Sequence, residues 1–490
     1  MLVGLLLSMA LAAVDVTIVA TAIPSIVRDL GGFSQYAWVF SIYVLAQAVT
    51  IPVYGKLADL YGRKPVLAVG ILIFLAGSML CGLAWNMTSL ILFRALQGLG
   101  AGAIAPMVST VAGDIYTVEE RARVQGWISS VWGIAGITGP ALGGFLATYL
   151  TWRWIFYINL PIGAFALYMI LRYLHEDVPR RAHRIDYPGA LLLAAGAGLF
   201  IFGTLEGGVR WDWLAAPSLG VFAAALVALS LFVRQERRAP EPMLPLWVLR
   251  RRLLVGANLT TAAIGLLSIG LSTFLPTYAQ GVLGVGAMLA GFILSAMSLS
   301  WPVTSALSGR IYLRIGFRDT ALIGAVICIV SGVVFIALPE DASLGHAALG
   351  GFIMGAGLGL LSTSMIVGVQ SVIGWSRRGV VTGANMFSRQ IGQAVGAAVY
   401  GSLANAVLAD QFRDAPAAVA AELPNDVNAA AELFDGGSSL SAAAEDYLRH
   451  GLYLAGERVF LALTLVAVAC VVVLLLTPRR WEPLRFDGEA

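Results

Sequence analysis

The sequence predicts an all-α polytopic membrane protein with about fourteen transmembrane helices. Three observations carry that expectation. Apolar runs of about 20 residues, the length that crosses a hydrocarbon core, recur along all 490 residues. The chain is 59% hydrophobic and only 12% charged, and a soluble domain uses roughly twice that charge to cover its surface. The basic residues are also segregated: with the N-terminus inside, 23 of the 31 Lys and Arg fall in inner loops and 6 in outer loops. That bias places both termini on the cytoplasmic side of the plasma membrane.

Taken in order, the spans are expected near 2–23, 35–54, 66–84, 89–112, 124–148, 154–174, 188–205, 215–233, 253–279, 287–308, 320–338, 345–370, 380–405 and 457–477. The first run lacks a charged leader, carries Asp15 and continues without a cleavage site, so it reads as a retained span and not a signal peptide. Because the chain begins almost inside it, a short natural tail is expected before Met1. Glycine-rich stretches such as "GLGAGAIAP" in span 4 and "GGFIMGAGLGLL" in span 12 read as close helix packing. Spans 7 and 8, with "EGGVRWDW" between them, carry no midspan charge and are expected to be a peripheral inserted pair. Between spans 13 and 14 the chain turns polar from Ala406 to Gly456. A solvated, partly helical hairpin, an outer gate or a path for greasy cargo would each suit that segment.

A repeat organises the rest. "GKLADLYGRK" (Gly55 to Lys64) joins spans 2 and 3, and "GRIYLRIGFR" (Gly309 to Arg318) joins spans 10 and 11. With spans 7 and 8 set aside, each copy sits between the second and third helices of a six-helix half, the internal symmetry of a transporter. The implied organisation is an N-terminal half at 1–174, inserted spans at 175–252, a C-terminal half at 253–477 and a tail at 478–490. In the first copy Gly55 and Gly62 would permit a tight turn, while Lys56, Arg63 and Lys64 pin it to the inner face. Asp59 does not help orientation; a helix N-terminus or a basic partner would stabilise it best. The second copy has Leu313 there, which suggests a single latch between the halves.

Only Asp15, Arg94 and Arg389 sit well inside spans, and such residues are functional candidates by default. At 1.5 Å per residue, Asp15 and Arg94 lie about 20 and 22 Å from the inner face, so a contact is possible, either working or merely structural. Arg389 lies near the midplane with Asn385, Gln390 and Gln393, placed to anchor a polar or anionic cargo group or to cross-link the halves. Tyr43, Trp132, Phe274, Met386 and Phe387 are candidate cavity-lining residues. No acidic residue lies at depth in spans 9 to 14, which favours lipophilic neutral or monocationic cargo.

Other chemistry finds little support. A net charge of +3 is too small for nucleic-acid binding. Cys81, Cys328 and Cys470 lie in apolar runs, and the four histidines show no metal-ligand spacing. "GLGAGA" follows no strand and precedes no Gly-Lys-Ser/Thr, so no nucleotide loop is expected. The chain is therefore expected to be no enzyme, to hold no cofactor or metal and to draw on an ion gradient.

"GKLADLYGRK" resembles the signature loop of the major facilitator superfamily. "AVDVTIVATAIP" (Ala13 to Pro24) is similar to the first-span motif of its fourteen-span drug–proton antiporters, and "LFRALQGLGAG" (Leu92 to Gly102) to their fourth-span arginine motif. "GIAGITGPALGG" (Gly133 to Gly144), with Gly139, Pro140, Gly143 and Gly144, resembles the antiporter motif. "WRWIFYINLPIG" and "GANMFSRQIGQAVG" are likewise typical of that branch. The resemblance implies the major facilitator fold, alternating access and proton-driven export of a small lipophilic substrate; the lipid bilayer is the expected surrounding partner and a monomer the expected state. It further implies that Asp59 docks on the start of span 13, around Gly379 to Thr382, and that Arg63 pairs with Asp114; the intramembrane acid Asp15, with Arg94 beside it, is the expected proton carrier. Export of a lipid or lipid-linked molecule, or a non-transporting receptor or scaffold, are the alternatives.

Overall fold

The computed structural model describes residues 1–31, 37–176, 186–208, 210–340, 343–420, 441–482 and 484. The first half comprises α1 (Leu2–Leu30), α2 (Ala37–Tyr61), α3 (Arg63–Gly82), α4 (Met87–Ile115) and α5 (Val118–Tyr149). Its last span, α6, is two pieces, Trp154–Tyr157 and Asn159–Tyr173. A hairpin follows, α7 (Tyr187–Glu206) and α8 (Ala216–Glu236). The second half comprises α9 (Arg252–Gly281), α10 (Ala287–Ile315), α11 (Phe317–Ile336), α12 (Leu344–Ser371), α13 (Arg378–Arg413) and α14 (Ala442–Leu476). Thirteen of these spans are long and apolar enough to cross a membrane. The fourteenth, α5, has 32 residues, but its Gly- and Ser-rich run is less apolar. The protein is a multi-pass membrane protein.

Each half closes on its own core. Leu5, Leu67, Ile71, Phe74, Ile104 and Ile170 centre one in the first half, and Leu254, Ile264, Leu358, Met365 and Phe460 centre another in the second. The hairpin is not set apart from them, as expected from its lack of charge. Ala48 of α2, Ile201 of α7 and Ala394 of α13 form one buried cluster, so α7 lies along the seam between the halves. Trp213 donates from its indole to Ser402 Oγ at 3.0 Å, fastening the hairpin to α13.

Several helices run past their expected ends. Residues 55–61 continue α2 as helix, and Gly62 alone breaks it, with φ 96°. Gly55 is therefore not a turn residue. A Cβ there would meet the Gly379 carbonyl oxygen of α13 at 2.7 Å, so its function is close approach of two helices. Gly316 has φ 92° at the matching place in the second copy, a conformation that only glycine adopts without strain. The start of α5 is drawn back to Val118 because Thr117 and Glu120 form a reciprocal capping box. In the polar 406–456 segment, the described ends are helical continuations of α13 and α14, tied by a hydrogen bond from Tyr447 Oη to the Gln411 carbonyl at 2.8 Å. Residues 421–440, the basic stretch at 177–185 and most of the tail lie outside the described residues.

The two copies of the turn make a stability test. Gly316→Ala should cost about 1–2 kcal/mol through strain at its positive φ, lowering the unfolding temperature of the detergent-solubilised protein by about 1–2 °C. Gly136→Ala, in α5 with no atom within 4 Å of an added Cβ, should change it little. Equal unfolding temperatures for the two variants would contradict the strained turn.

Candidate functional site

Among the described residues, two buried polar centres gather the ionisable candidates. The first lies within the first half, where Asp15, Arg94, Gln97, Ser78 and Asn159 are all fully buried. Arg94 Nη1 donates to Asp15 Oδ2 at 2.5 Å, and Gln97 Nε2 and Asn159 Nδ2 donate to Oδ1 at 2.7 and 3.1 Å. Arg94 also donates to the Val39 carbonyl at 3.1 Å and to Gln97 Oε1 at 2.8 Å. Its guanidinium stacks on Tyr43, 4.1 Å from the ring centroid. Asn159 is held by Ser78 Oγ at 3.0 Å, which in turn donates to the Phe156 carbonyl. Charges so far from water persist only when paired and hydrogen-bonded. Three donors aimed at one carboxylate suit its ionised form. An added proton would turn an acceptor into a donor facing donors, so the network cannot take it without rearranging.

The second centre joins the halves at one end. The start of α13 has no side-chain cap of its own. Its Gly379 and Val380 amides donate to Asp59 Oδ1 and Oδ2 of α2, each at 2.8 Å. In the second copy Leu313 replaces that acid, and α5 needs none because Thr117 caps it. Arg63 lies 3.1 Å from Asp59. It donates to Asp114 Oδ2 at 2.9 Å and to the Trp375 carbonyl at 2.5 Å, and stacks on the Trp375 ring at 3.8 Å. Asp114 also pairs with Arg378 of α13. Gln370 of α12 donates to the Ser109 carbonyl at 3.0 Å, and Tyr312 of α10 to the Val118 carbonyl at 2.5 Å. Glu176 caps α3, accepting the Arg63 and Lys64 amides at 2.9 and 3.0 Å.

Among the described residues, every hydrogen bond between the halves lies at this end. Along α5 and α10, added Cβ atoms at Gly309, Gly126 and Gly133 would meet the opposite helix at 2.7, 2.6 and 2.9 Å. Farther on, Gly136, Gly144, Gly286 and Gly291 have nothing within 4 Å of that position. Along α5 and α10 the halves meet at the Asp59 end and part towards the other.

The remaining candidates are dispersed. Tyr43 is fully buried against Arg94 and lines no open cavity, because the arginine needs its ring face. Asn385 is buried too, donating to Thr261 Oγ1 of α9 at 2.8 Å. Phe274 packs on the second core, Met386 lies with Ala122 and Tyr312, and Trp132 is 41% exposed. Phe387 and Gln393 are partly exposed. An added Cβ at Gly139 would meet Thr17 Oγ1 at 2.1 Å, whereas Gly144 has no near neighbour. Gly143 is buried, and the Pro140 side chain lies outside the described residues. Gln97, Asn159 and Ser78 were not singled out from the sequence, although the first two are polar residues inside apolar runs. Glu176, Gln370, Trp375 and Arg378 carried no such signal.

A family model described as Major Facilitator Superfamily matches residues 5–397. The chain is 34% identical over 412 residues to multidrug resistance protein 3 of Bacillus subtilis, covering 84% of this chain and 80% of that one. It is 36% identical over 403 residues to the multidrug transporter protein MdtP of the same organism, covering 82% and 74%. The crystal structure of the human organic anion transporter MFSD10 superposes with a TM-score of 0.63, at 14% identity over 96% of this chain and 98% of that one; at that identity the likeness shows the fold alone.

Removing the charge at residue 59 tests the joined end. Asp59→Asn should weaken its hold on the α13 start by about 1–2 kcal/mol, a five- to thirty-fold shift towards separation at that end if the two states are balanced. Alkylation of a cysteine introduced at Ser109, buried beside Gln370, should then accelerate. Unchanged alkylation would show that Asp59 does not hold this end closed.

Proposed function

The chain belongs to the major facilitator superfamily, and from that premise we propose that it exports drugs or similar lipophilic compounds in exchange for protons. The multidrug transporters it is similar to support the cargo class. The observation that carries the coupling is Asp15, an acid sealed at depth by Arg94, Gln97 and Asn159. The Asp59 end faces the cytoplasm on this reading, consistent with the basic loops gathered there. The arrangement described is then closed inwards and parted outwards.

Protonation of Asp15 turns one of its two acceptor oxygens into a donor facing Arg94 or the two amides, so one proton destabilises one packing of the half and favours another. Release of that proton restores the three hydrogen bonds. Alternating access follows when the two packings differ in which end is closed. A proton moving inward yields about 2.3 kcal/mol per 100 mV, enough for a roughly fifty-fold cargo gradient. Residue 63 and its partners set which end closes; residue 15 sets when.

A panel of lipophilic dyes, screened first in an efflux-deficient host, supplies the probe. In proteoliposomes with an imposed proton gradient, Asp15→Asn should abolish uphill export of the selected dye while leaving its binding within a few-fold. Asp15→Glu should retain partial activity with a displaced pH optimum. Uphill export by Asp15→Asn at the wild-type rate and pH dependence would rule out Asp15 as the proton carrier.

A further inference from the structure

Met386, Arg389 and Gln393 recur at three- and four-residue steps along α13 and so share one face. Met386 packs against the buried cluster of Ala122 of α5, Tyr312 of α10 and Ile366 and Val367 of α12, which turns that face towards the junction of the halves. Arg389 comes one turn farther from the closed end. On its other side the helix is pinned: an added Cβ at Gly265 of α9 would lie 2.2 Å from the Arg389 carbonyl oxygen.

One nitrogen of the side chain is left unsatisfied. Arg389 Nε is buried and has no hydrogen-bond partner. Among the described residues its guanidinium pairs with no carboxylate; its contact is the Trp301 ring, 5.3 Å from the centroid. Trp301 is fixed by donating to Ser362 Oγ at 3.1 Å. The amide of Gln393, one turn on, makes no hydrogen bond among the described residues. Arg94 shows the contrast, since an arginine at similar depth there is saturated by Asp15, Gln97 and the Val39 carbonyl. No acid lies at depth in α9–α14 to compensate Arg389, and Asp15 is already committed to three donors. The charge left over at the middle of the protein is therefore positive.

We propose that Arg389 and Trp301 form the recognition site for an amphiphilic organic anion, deepening the export reading above by naming its cargo class. The guanidinium fork takes a carboxylate or sulfonate through two hydrogen bonds. The fixed indole face receives the aromatic or aliphatic body, and the Gln393 amide is free to donate to a second oxygen. An unpaired cation in low dielectric repels cationic cargo, which reverses the preference for neutral or monocationic compounds drawn from the missing acids.

Binding of radiolabelled naphthalene-2-sulfonate and of its uncharged analogue naphthalene-2-sulfonamide to the purified full-length protein tests the site. The wild type should prefer the sulfonate at least tenfold. Arg389→Gln should lose tenfold or more for the sulfonate and less than twofold for the sulfonamide, with an unchanged unfolding temperature. Arg389→Lys, which keeps the charge without the fork, should fall between. Equal affinities in the wild type, no sulfonate binding, or an unaltered affinity in Arg389→Gln would each overturn the assignment. Gradient-driven dye export that persists in that case leaves proton-coupled export standing. Loss of export with sulfonate preference intact removes the coupling and keeps the site.

Discussion

Helix α13 begins without a cap of its own, and the carboxylate that takes its first amides belongs to the other half of the molecule. Unpaired amides at a helix start cost more where water is scarce. The start of α13 is thus stable only while Asp59 is beside it, and Asp59 is there only while α2 and α13 touch. Gly55 and Gly379 make that touch possible, since a side chain on either would strike the opposite backbone. Arg63 then compensates Asp59 and Asp114, Asp114 holds Arg378, and Glu176 fixes the turn from which Arg63 projects. Remove the first contact and the others lose their geometry together.

The buried carboxylate and this joined end share a structural member. Arg94 and Asp114 both belong to α4, twenty residues apart, or about 30 Å along a helix. A change of partners at Arg94 is therefore applied to the same rod that presents Asp114 to α13. Thr17 adds a second route. It lies two residues beyond Asp15 and donates to the Ala135 carbonyl of α5 at 3.0 Å, and α5 is one of the helices that reach across to the second half. The buried carboxylate is thus linked to the contact between halves by two routes, one along α4 and one through α5.

Much of the fold was legible because lipid imposes a length and a hydropathy on every span. The depth of Asp15 and Arg94 could be counted from the same periodicity. What failed did so for physical reasons. Charge was read as loop, but Lys56, Asp59 and Glu119 sit on helices whose backbone bonds continue beyond the apolar run. Glycine was read as turn at Gly55, where it serves packing, because sequence does not distinguish a needed dihedral from a needed gap. Gln97 and Asn159 look like ordinary polar interruptions until the helices are packed and both amides converge on one oxygen. Glu176 acts through backbone amides far away in sequence, and no local pattern announces that. The α7–α8 hairpin was placed at the periphery by its lack of charge, yet an apolar seam is where an uncharged pair fits.

That placement changes the mechanics of the molecule. The hairpin is hydrogen-bonded to α13 through Trp213, and Leu193, Phe232 and Val248 pack with Val380 and Ala384 of the same helix. Against α2 it offers mostly apolar surface, with no hydrogen bond among the described residues, and Glu236 at the end of α8 faces the charge of Lys56. On the alternating-access reading proposed above, the hairpin would be carried by the second half. The moving bodies are then unequal, six spans against eight, and the face between α2 and α7 is the bearing. Smooth aliphatic side chains such as Ala48 and Ile201 suit a bearing, because sliding them breaks no directional bond. The additional pair of spans makes the second body broader and covers the α2–α13 seam on that side.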